Sequence, residues 1–377
     1  MIQGKPKELQ GVKESLGEAT EAETHYYVAQ EDTGLDGPLR KFHNYLKQRL
    51  ISDVSSALSK KTIAVLDTSV GRGGDLKKYL GSDKEISFFL GLDISPDVNE
   101  AAKRYYTERM KKPKAMFLQY DTSQPIHTGE GCVGSETAVL KNHQLIDILY
   151  KNQTHVSKEY RKIDGIYRGL GETGFDLISS QFTLHYYFKD ELTLRGYLQN
   201  LSDSCIKGGY FIGTCYDGMK VFQMLQERSV LEMTDDYEKP VYTLTKTYEI
   251  EDFTYHKDNK EAMFGQTIDV YMSSIGQSIQ EYLVNFEMFV DMMTEYGFAL
   301  AVPDMHGKHS GIFDSQSFSY QKGLGGFDQI LSKLANLSSK DRGLKTYYSE
   351  ALQMLLEENA GLRQLSVLNN WFIFQKQ

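Results

Sequence analysis

The chain has 377 residues, of which 40% are hydrophobic, 12% aromatic and 25% charged. That apolar content fills a sizeable core, which excludes disorder for the body of the chain, and the length suggests two domains or one large core with insertions. Lys and Arg number 42 against 51 Asp and Glu, a net charge of -9, which argues against a nonspecific grip on long nucleic acid but leaves recognition of a short, chemically distinct feature of one open.

Cys132, Cys205 and Cys215 form no CxxC pair and no disulfide framework. Residues 1–13 show no apolar signal region, and the most apolar run, 86–94, is too short to cross a bilayer and is broken by Asp93. The expectation is a soluble, intracellular chain with no membrane contact.

In chain order, residues 1–38 are polar and end at Gly37-Pro38, a linker or the remnant of an upstream domain. Residues 39–58 have helical spacing, with Leu39, Phe42, Leu46, Leu50 and Ile51 on one face. A strand over 63–67 ends in Asp67 and is followed by a glycine-rich turn and a helix from Asp75. A second strand over 86–92 ends in Asp93, and a helix follows to residue 110. A third strand, 115–119, closes on Asp121. Residues 122–173 read as a polar insertion with an amphipathic piece at 143–160. Buried strands follow at 175–179 and 209–213, then an alternating strand at 241–250, a helix at 281–296, a glycine loop at 323–326 and a last apolar strand at 371–374. Strands alternating with helices predict a doubly wound α/β sheet, whose ligands bind outside the carboxyl ends of the strands.

The turn after the first strand, Ser69-Val70-Gly71-Arg72-Gly73-Gly74-Asp75, lacks dinucleotide spacing, because Ser69 stands where the first glycine would fall. Asp75 at the next helix N-terminus repels a phosphate and suits a cationic ligand. Asp93 is placed to hold a ribose diol. A cationic ligand bearing a ribose is S-adenosylmethionine; the alternative is a tight turn with a helix cap. The second cluster, Gln181-Phe182-Thr183-Leu184-His185-Tyr186-Tyr187-Phe188, offers aromatic faces to stack a base, or simply packs a helix start around an ordinary histidine.

These residues resemble the eukaryotic and viral mRNA cap guanine-N7 methyltransferases, from about Arg40 to the C-terminus. The motifs run in order: Phe42-His43-Asn44-Tyr45-Leu46-Lys47, Gly71-Arg72-Gly73-Gly74-Asp75, the 181–188 cluster, Gly208-Gly209-Tyr210-Phe211-Ile212-Gly213-Thr214, Gly265-Gln266-Thr267-Ile268-Asp269-Val270-Tyr271 and Glu281-Tyr282-Leu283-Val284-Asn285-Phe286. The last two look most like capping enzymes of large cytoplasmic DNA viruses such as African swine fever virus, in which the methyltransferase is the C-terminal domain of a longer polypeptide. The resemblance implies a class I (Rossmann-like) AdoMet-dependent methyltransferase over 39–377, with the doubly wound, mostly parallel sheet carrying an insertion at 122–173. It implies methyl transfer to N7 of a GpppN cap, with S-adenosylhomocysteine as product. Lys47, Asp67 and Asp75 would surround the methionine part, Asp93 the ribose and Asp121 the adenine, with Gln181 near the methyl donor and Gly71 also binding the cofactor.

By the same resemblance, Asn44, Phe182, His185, Tyr186 and Glu281 would form the guanine pocket. Gln181, Phe182, His185 and Tyr186 would position the reactants, with no metal and no general base. The implied partners are capped mRNA and upstream triphosphatase and guanylyltransferase domains, and the implied place is the host cytoplasm, in a viral factory or virion. The sequence departs from the family pattern at Ser69-Val70 (usually Gly-Cys), Arg72 (Lys) and Tyr216 (often Pro), and Asn369 aligns near a cap-contacting Tyr. Glu281 suits guanine because one carboxylate accepts from both N1–H and the 2-amino group, while His185 can donate to O6. The alternatives are another AdoMet-dependent methyltransferase, or a catalytically silent, stimulatory RNA-binding subunit.

Overall fold

A computed structural model describes residues 34–107, 113–302, 312–313 and 322–377, apart from the Arg342 side chain. The first described helix, α1 (Gly37–Ala57), starts on Pro38, whose fixed φ suits a first turn, so Gly37-Pro38 opens the helix rather than closing a linker. Leu39, Phe42, Leu46, Leu50 and Ile51 are all buried, as their spacing predicts. Residues 1–33 of the predicted linker lie outside the described residues.

Five strands then alternate with helices: β1 (Thr62–Asp67), α2 (Leu76–Leu80), β2 (Glu85–Asp93), α3 (Val98–Thr107), β3 (Lys114–Gln119), α4 (Glu136–Tyr150), α5 (Arg161–Tyr167), β4 (Phe175–Gln181), α6 (Glu191–Ser204) and β5 (Cys205–Tyr216). The predicted end of the second of these helices, 108–110, lies outside the described residues. The five strands are parallel, and β1 pairs with both β2 and β4. Every residue of β4 is buried, as expected of a strand covered on both faces. Strand order therefore reverses beside β1, and the crevice outside the carboxyl ends of β1 and β4 is the place for a ligand.

The 122–173 segment is the crossover from β3 to β4. Its main helix, α4, begins at Ser135, whose side chain accepts from the Ala138 N–H, and ends where Lys151 turns left-handed at φ 54°. The predicted amphipathic piece at 143–160 thus merges the end of one helix with the start of the next. Leu145, Ile146, Ile148 and Leu149 of α4 are buried, so this crossover is part of the core.

After α7 (Gly218–Gln226), a second sheet forms from β6 (Val230–Thr234), β7 (Pro240–Lys246), β8 (Thr267–Met272) and β9 (Ser278–Tyr282), antiparallel throughout. The strand predicted at 241–250 leaves the sheet after Lys246. Glu281 belongs to β9, not to a helix; the helix α8 (Phe286–Glu295) starts only at its cap, where the Asn285 side chain accepts from Met288 N–H. The chain returns to the main sheet through β10 (Phe298–Leu300), β11 (Leu324–Gly326), α9 (Phe327–Lys340) and β12 (Asn369–Lys376). The predicted glycine loop at 323–326 is largely β11, paired with β12. The main sheet reads β10-β12-β5-β4-β1-β2-β3, with β12 antiparallel to β5. Among the described residues no helix is long and apolar enough to cross a membrane.

Candidate active site

Three carboxylates reach the crevice from the ends of β1, β2 and β3. Asp67, closing β1, accepts from Tyr79 Oη at 3.0 Å and from the Ser69 N–H at 3.2 Å. Burial, then the nearby Asp75 charge, pushes its carboxyl up to about 7. Asp93, closing β2, accepts from the backbone N–H of Gly71 at 2.7 Å and of Ser95 at 2.8 Å. Burial raises it to about 6 in spite of those bonds. Asp121, just past β3, accepts from the Ser123 N–H and hydroxyl at 2.9 and 2.7 Å. In each case one or both oxygens are fixed by the turn itself, so the carboxylate is aimed before any ligand arrives. The turn between β1 and α2 needs Gly73: its φ is 75°, and a Cβ there would meet Leu76 Cδ1 at 2.6 Å.

Asp75 departs from the expectation of an acid left open for a cationic ligand. Lys47 Nζ of α1 stands 2.9 Å from its carboxylate and Lys78 Nζ 2.7 Å. Against the effect of burial, these two ammonium groups hold the Asp75 carboxyl below the usual carboxylate range. Lys78 also donates to Asn44 Oδ1 at 3.0 Å, so Asn44 stands with this cluster. One carboxylate between two ammoniums leaves a net positive corner beside the Asp67 carboxyl, whose ionised form a neighbouring cation would favour. Such a pair of corners matches the carboxylate and ammonium ends of an amino acid.

The exit of β4 is strained. Phe182 adopts φ 58°, a region a bulky side chain enters only when its surroundings impose it. Its N–H is tied to Thr214 O at 2.8 Å, and its ring stacks on His43 at 5.1 Å and lies 5.8 Å from Lys47 Nζ. Gln181, just before it, is held at both ends, donating to Ser179 Oγ and accepting from Thr214 Oγ1, each at 3.0 Å. Thr183 Oγ1 then bonds Ser69 Oγ at 2.6 Å and Ser180 Oγ at 2.8 Å, joining the β4 exit to the β1 turn.

Beyond Phe182, the 3₁₀ turn Leu184–Lys189 carries His185 against β9. His185 Nε2 is 3.6 Å from Glu281 Oε1, and the Tyr186 ring lies 4.1 Å away, edge to face. Burial alone drives His185 down to about 3 and Glu281 up to about 8, so at neutral pH both are uncharged and their contact is not an ion pair. His185 Nε2 and Glu281 Oε2 are buried polar atoms with no hydrogen-bond partner. Two such atoms side by side are costly in a folded chain and mark a place for a ligand with complementary polar groups. Asn369, opposite Tyr216 in the β12–β5 pairing, donates its amide N–H groups to Leu365 O and Ser366 O, and its Oδ1 is a buried atom with no hydrogen-bond partner.

A profile of the mRNA (guanine-N(7))-methyltransferase domain matches residues 36–356. The chain belongs to this family. Among its relatives, a "Probable mRNA-capping enzyme" of Acanthamoeba polyphaga mimivirus is 25% identical over 93% of this chain and 28% of its own length. The mRNA cap guanine-N(7) methyltransferase of Cryptococcus neoformans is 28% identical over 70% of this chain and 35% of its own, and that of Saccharomyces cerevisiae 28% over 70% and 51%. The chain thus spans between about a quarter and a half of these curated relatives. Among solved structures, a putative S-adenosylmethionine dependent methyltransferase from Listeria monocytogenes superposes with a TM-score of 0.41 at 10% identity, over 90% of this chain and 99% of that one.

Within this cap methyltransferase domain, sequence reasoning missed four residues that shape the site. Lys78 and Tyr79 follow Asp75 on α2, and the i+3 spacing of Lys78 was a usable signal. His43, under the Phe182 ring, and Cys215, at the end of β5 beside His185, carry no local signal, because only the fold brings them there. Among the described residues no group of three or more His, Cys, Asp or Glu is placed to hold a metal ion.

Proposed function

We propose that this chain transfers a methyl group from S-adenosylmethionine to N7 of the terminal guanosine of a GpppN mRNA cap. The observation that carries the reading is the pair of unpartnered buried atoms, His185 Nε2 and Glu281 Oε2, next to a crevice rimmed by Asp67, Asp93 and Asp121. Guanine offers N1–H and the 2-amino group to a carboxylate and O6 to an N–H donor, so Glu281, giving up its proton as the base binds, and His185 are satisfied by guanine and left unpaired by adenine. Stacking on Tyr186 or Phe182 adds about 1–3 kcal/mol.

The crevice fits S-adenosylmethionine by its donor set. Lys47 and Lys78 would receive the carboxylate of the methionine part, with Asp75 holding both lysines in place, and Asp67 its ammonium. Asp93 would take the ribose diol on the lone pairs that Gly71 and Ser95 leave free, Asp121 the adenine amino group, and Gln181 would lie near the methyl donor. Bound S-adenosylmethionine supplies a methyl group on a sulfonium, already activated for displacement. N7 of guanine keeps a free lone pair in the neutral base, so the chemistry asks for no proton to be removed first. The residues named therefore act by alignment, worth roughly 7–11 kcal/mol when the reacting atoms are held in line. The carboxylates around the crevice accommodate the positive charge as it passes to the base.

A GpppN end is made by removal of a phosphate and addition of GMP, and the mimivirus relative, a "Probable mRNA-capping enzyme" much longer than this chain, supports triphosphatase and guanylyltransferase domains as neighbours in one polypeptide. The same relative supports a viral enzyme working in the host cytoplasm. The test is methyl transfer from labelled S-adenosylmethionine to GpppA-capped RNA, with m7GpppA-capped and uncapped RNA as controls. Transfer to the unmethylated cap alone is expected. Binding of S-adenosylmethionine without any transfer would overturn the reading in favour of a stimulatory subunit.

A further inference from the structure

His185 is a neutral imidazole in a dry pocket, so one ring nitrogen carries a hydrogen and the other a lone pair. Which is which decides whether Nε2, the atom facing Glu281, can donate to a ligand carbonyl at all. Burial does not set this choice; the partner of the other nitrogen does. That partner is Cys215, the penultimate residue of β5, whose sulfur lies 3.7 Å from His185 Nδ1 and is fully buried.

A thiol has one hydrogen to give and lone pairs with which to accept. Among the described residues the sulfur's hydrogen-bond contact is with His185 Nδ1. Burial keeps the thiol protonated. The hydrogen is then left to aim at Nδ1. We propose that Cys215 is a positioning residue, its S–H donating to His185 Nδ1 and so fixing the tautomer with hydrogen on Nε2, the form that donates to O6 of a purine. The proposal rests on the guanine reading of the pocket for its consequence, and on the contacts of sulfur and imidazole alone for the tautomer. Cys215 touches no substrate in this scheme. It selects guanine over adenine through the histidine, because an Nε2 lone pair would instead favour the 6-amino group of adenine.

The test uses the full chain labelled with ¹⁵N-histidine, with His185 assigned by comparison with His185→Gln. Long-range ¹H–¹⁵N correlations distinguish the two tautomers directly. The parent is expected to show a bare Nδ1 and a protonated Nε2, Cys215→Ser the same, and Cys215→Ala a mixture. Affinity for GpppA with S-adenosylhomocysteine present should fall about five- to tenfold in Cys215→Ala, the scale of one neutral hydrogen bond, and return in Cys215→Ser. Affinity for S-adenosylhomocysteine alone should stay unchanged in both. A protonated Nδ1 in the parent overturns the proposal, and so does a His185 spectrum indifferent to Cys215→Ala. The parent spectrum needs no variant, so it decides even if Cys215→Ala fails to fold. A parent with the expected tautomer but no affinity for GpppA would overturn the cap reading and leave the role of Cys215 in setting the tautomer standing.

Discussion

Both carboxylate oxygens of Asp93 are held by backbone N–H groups before any ligand binds, so the side chain cannot turn away and its removal takes a prepared contact with it. Asp93→Ala is expected to weaken S-adenosylmethionine binding about 10- to 100-fold by calorimetry, the range of a charge-assisted hydrogen bond. An unchanged affinity would sink the assignment. Asp67 and Asp93 are raised to about 7 and about 6, and a ligand ammonium or diol favours their ionised forms. Binding should therefore release protons, and affinity should fall as pH drops through 7 towards 5; calorimetry in buffers of different ionisation enthalpy reads the proton count. Glu281, raised furthest of the three, also bears on stability. Its carboxyl, raised to about 8, keeps a proton that the unfolded chain sheds near 4.5, so its contribution is fully present below 4.5 and is lost as pH rises through 8. Glu281→Gln should flatten that loss in thermal unfolding between pH 5 and 9, while lowering cap affinity at least about tenfold, since an amide cannot accept from two guanine donors at once.

At the scale of elements, α4 shows what a sequence hides. Residues 122–173 look polar, yet α4 buries Ile146 completely under the β3 edge of the sheet. Ile146→Ala is expected to cost about 2–5 kcal/mol in chemical unfolding with cofactor affinity unchanged, whereas a surface ornament would cost less than about 0.5 kcal/mol. The parallel strands were legible because strands covered on both faces read as unbroken apolar runs, and the first three runs stopped at or just before the carboxylates that matter. The antiparallel sheet was not. Around Glu281 the apolar residues Tyr282, Leu283, Val284 and Phe286 fit a helix start as readily as a strand end, and only the pairing of Ile268 with Glu281 settles it. β11 is three residues, Leu324–Gly326, whose strand character comes from β12, far along the chain. The same limit applied to the site. Asp67, Asp93 and Asp121 could be found from strand ends, but the Lys47–Asp75–Lys78 group closes across two helices, and its effect is to occupy the acid that looked open.

For the whole molecule, a net charge of -9 argues against binding driven by attraction to RNA phosphates, and under the proposed function recognition would fall to the cap itself. The affinity for capped RNA should accordingly fall less than about tenfold between 50 and 200 mM salt, against the 10³–10⁵ typical of proteins with six to ten phosphate contacts. A steep salt slope by filter binding would instead reveal a basic track that the charge balance conceals. The placement of β12 has a consequence of another kind. It lies between β5 and β10, and its contact from Asn370 to Asp217 spans 153 residues. During synthesis, β5 therefore emerges long before the strand that covers its edge, an interval of roughly 8–30 s at 5–20 residues per second. Throughout that interval the nascent sheet presents an open, largely apolar border, available to a chaperone or to a neighbouring nascent chain on the same message. The antiparallel last strand is thus a clasp, and the half-made protein depends on whatever holds that border until it arrives.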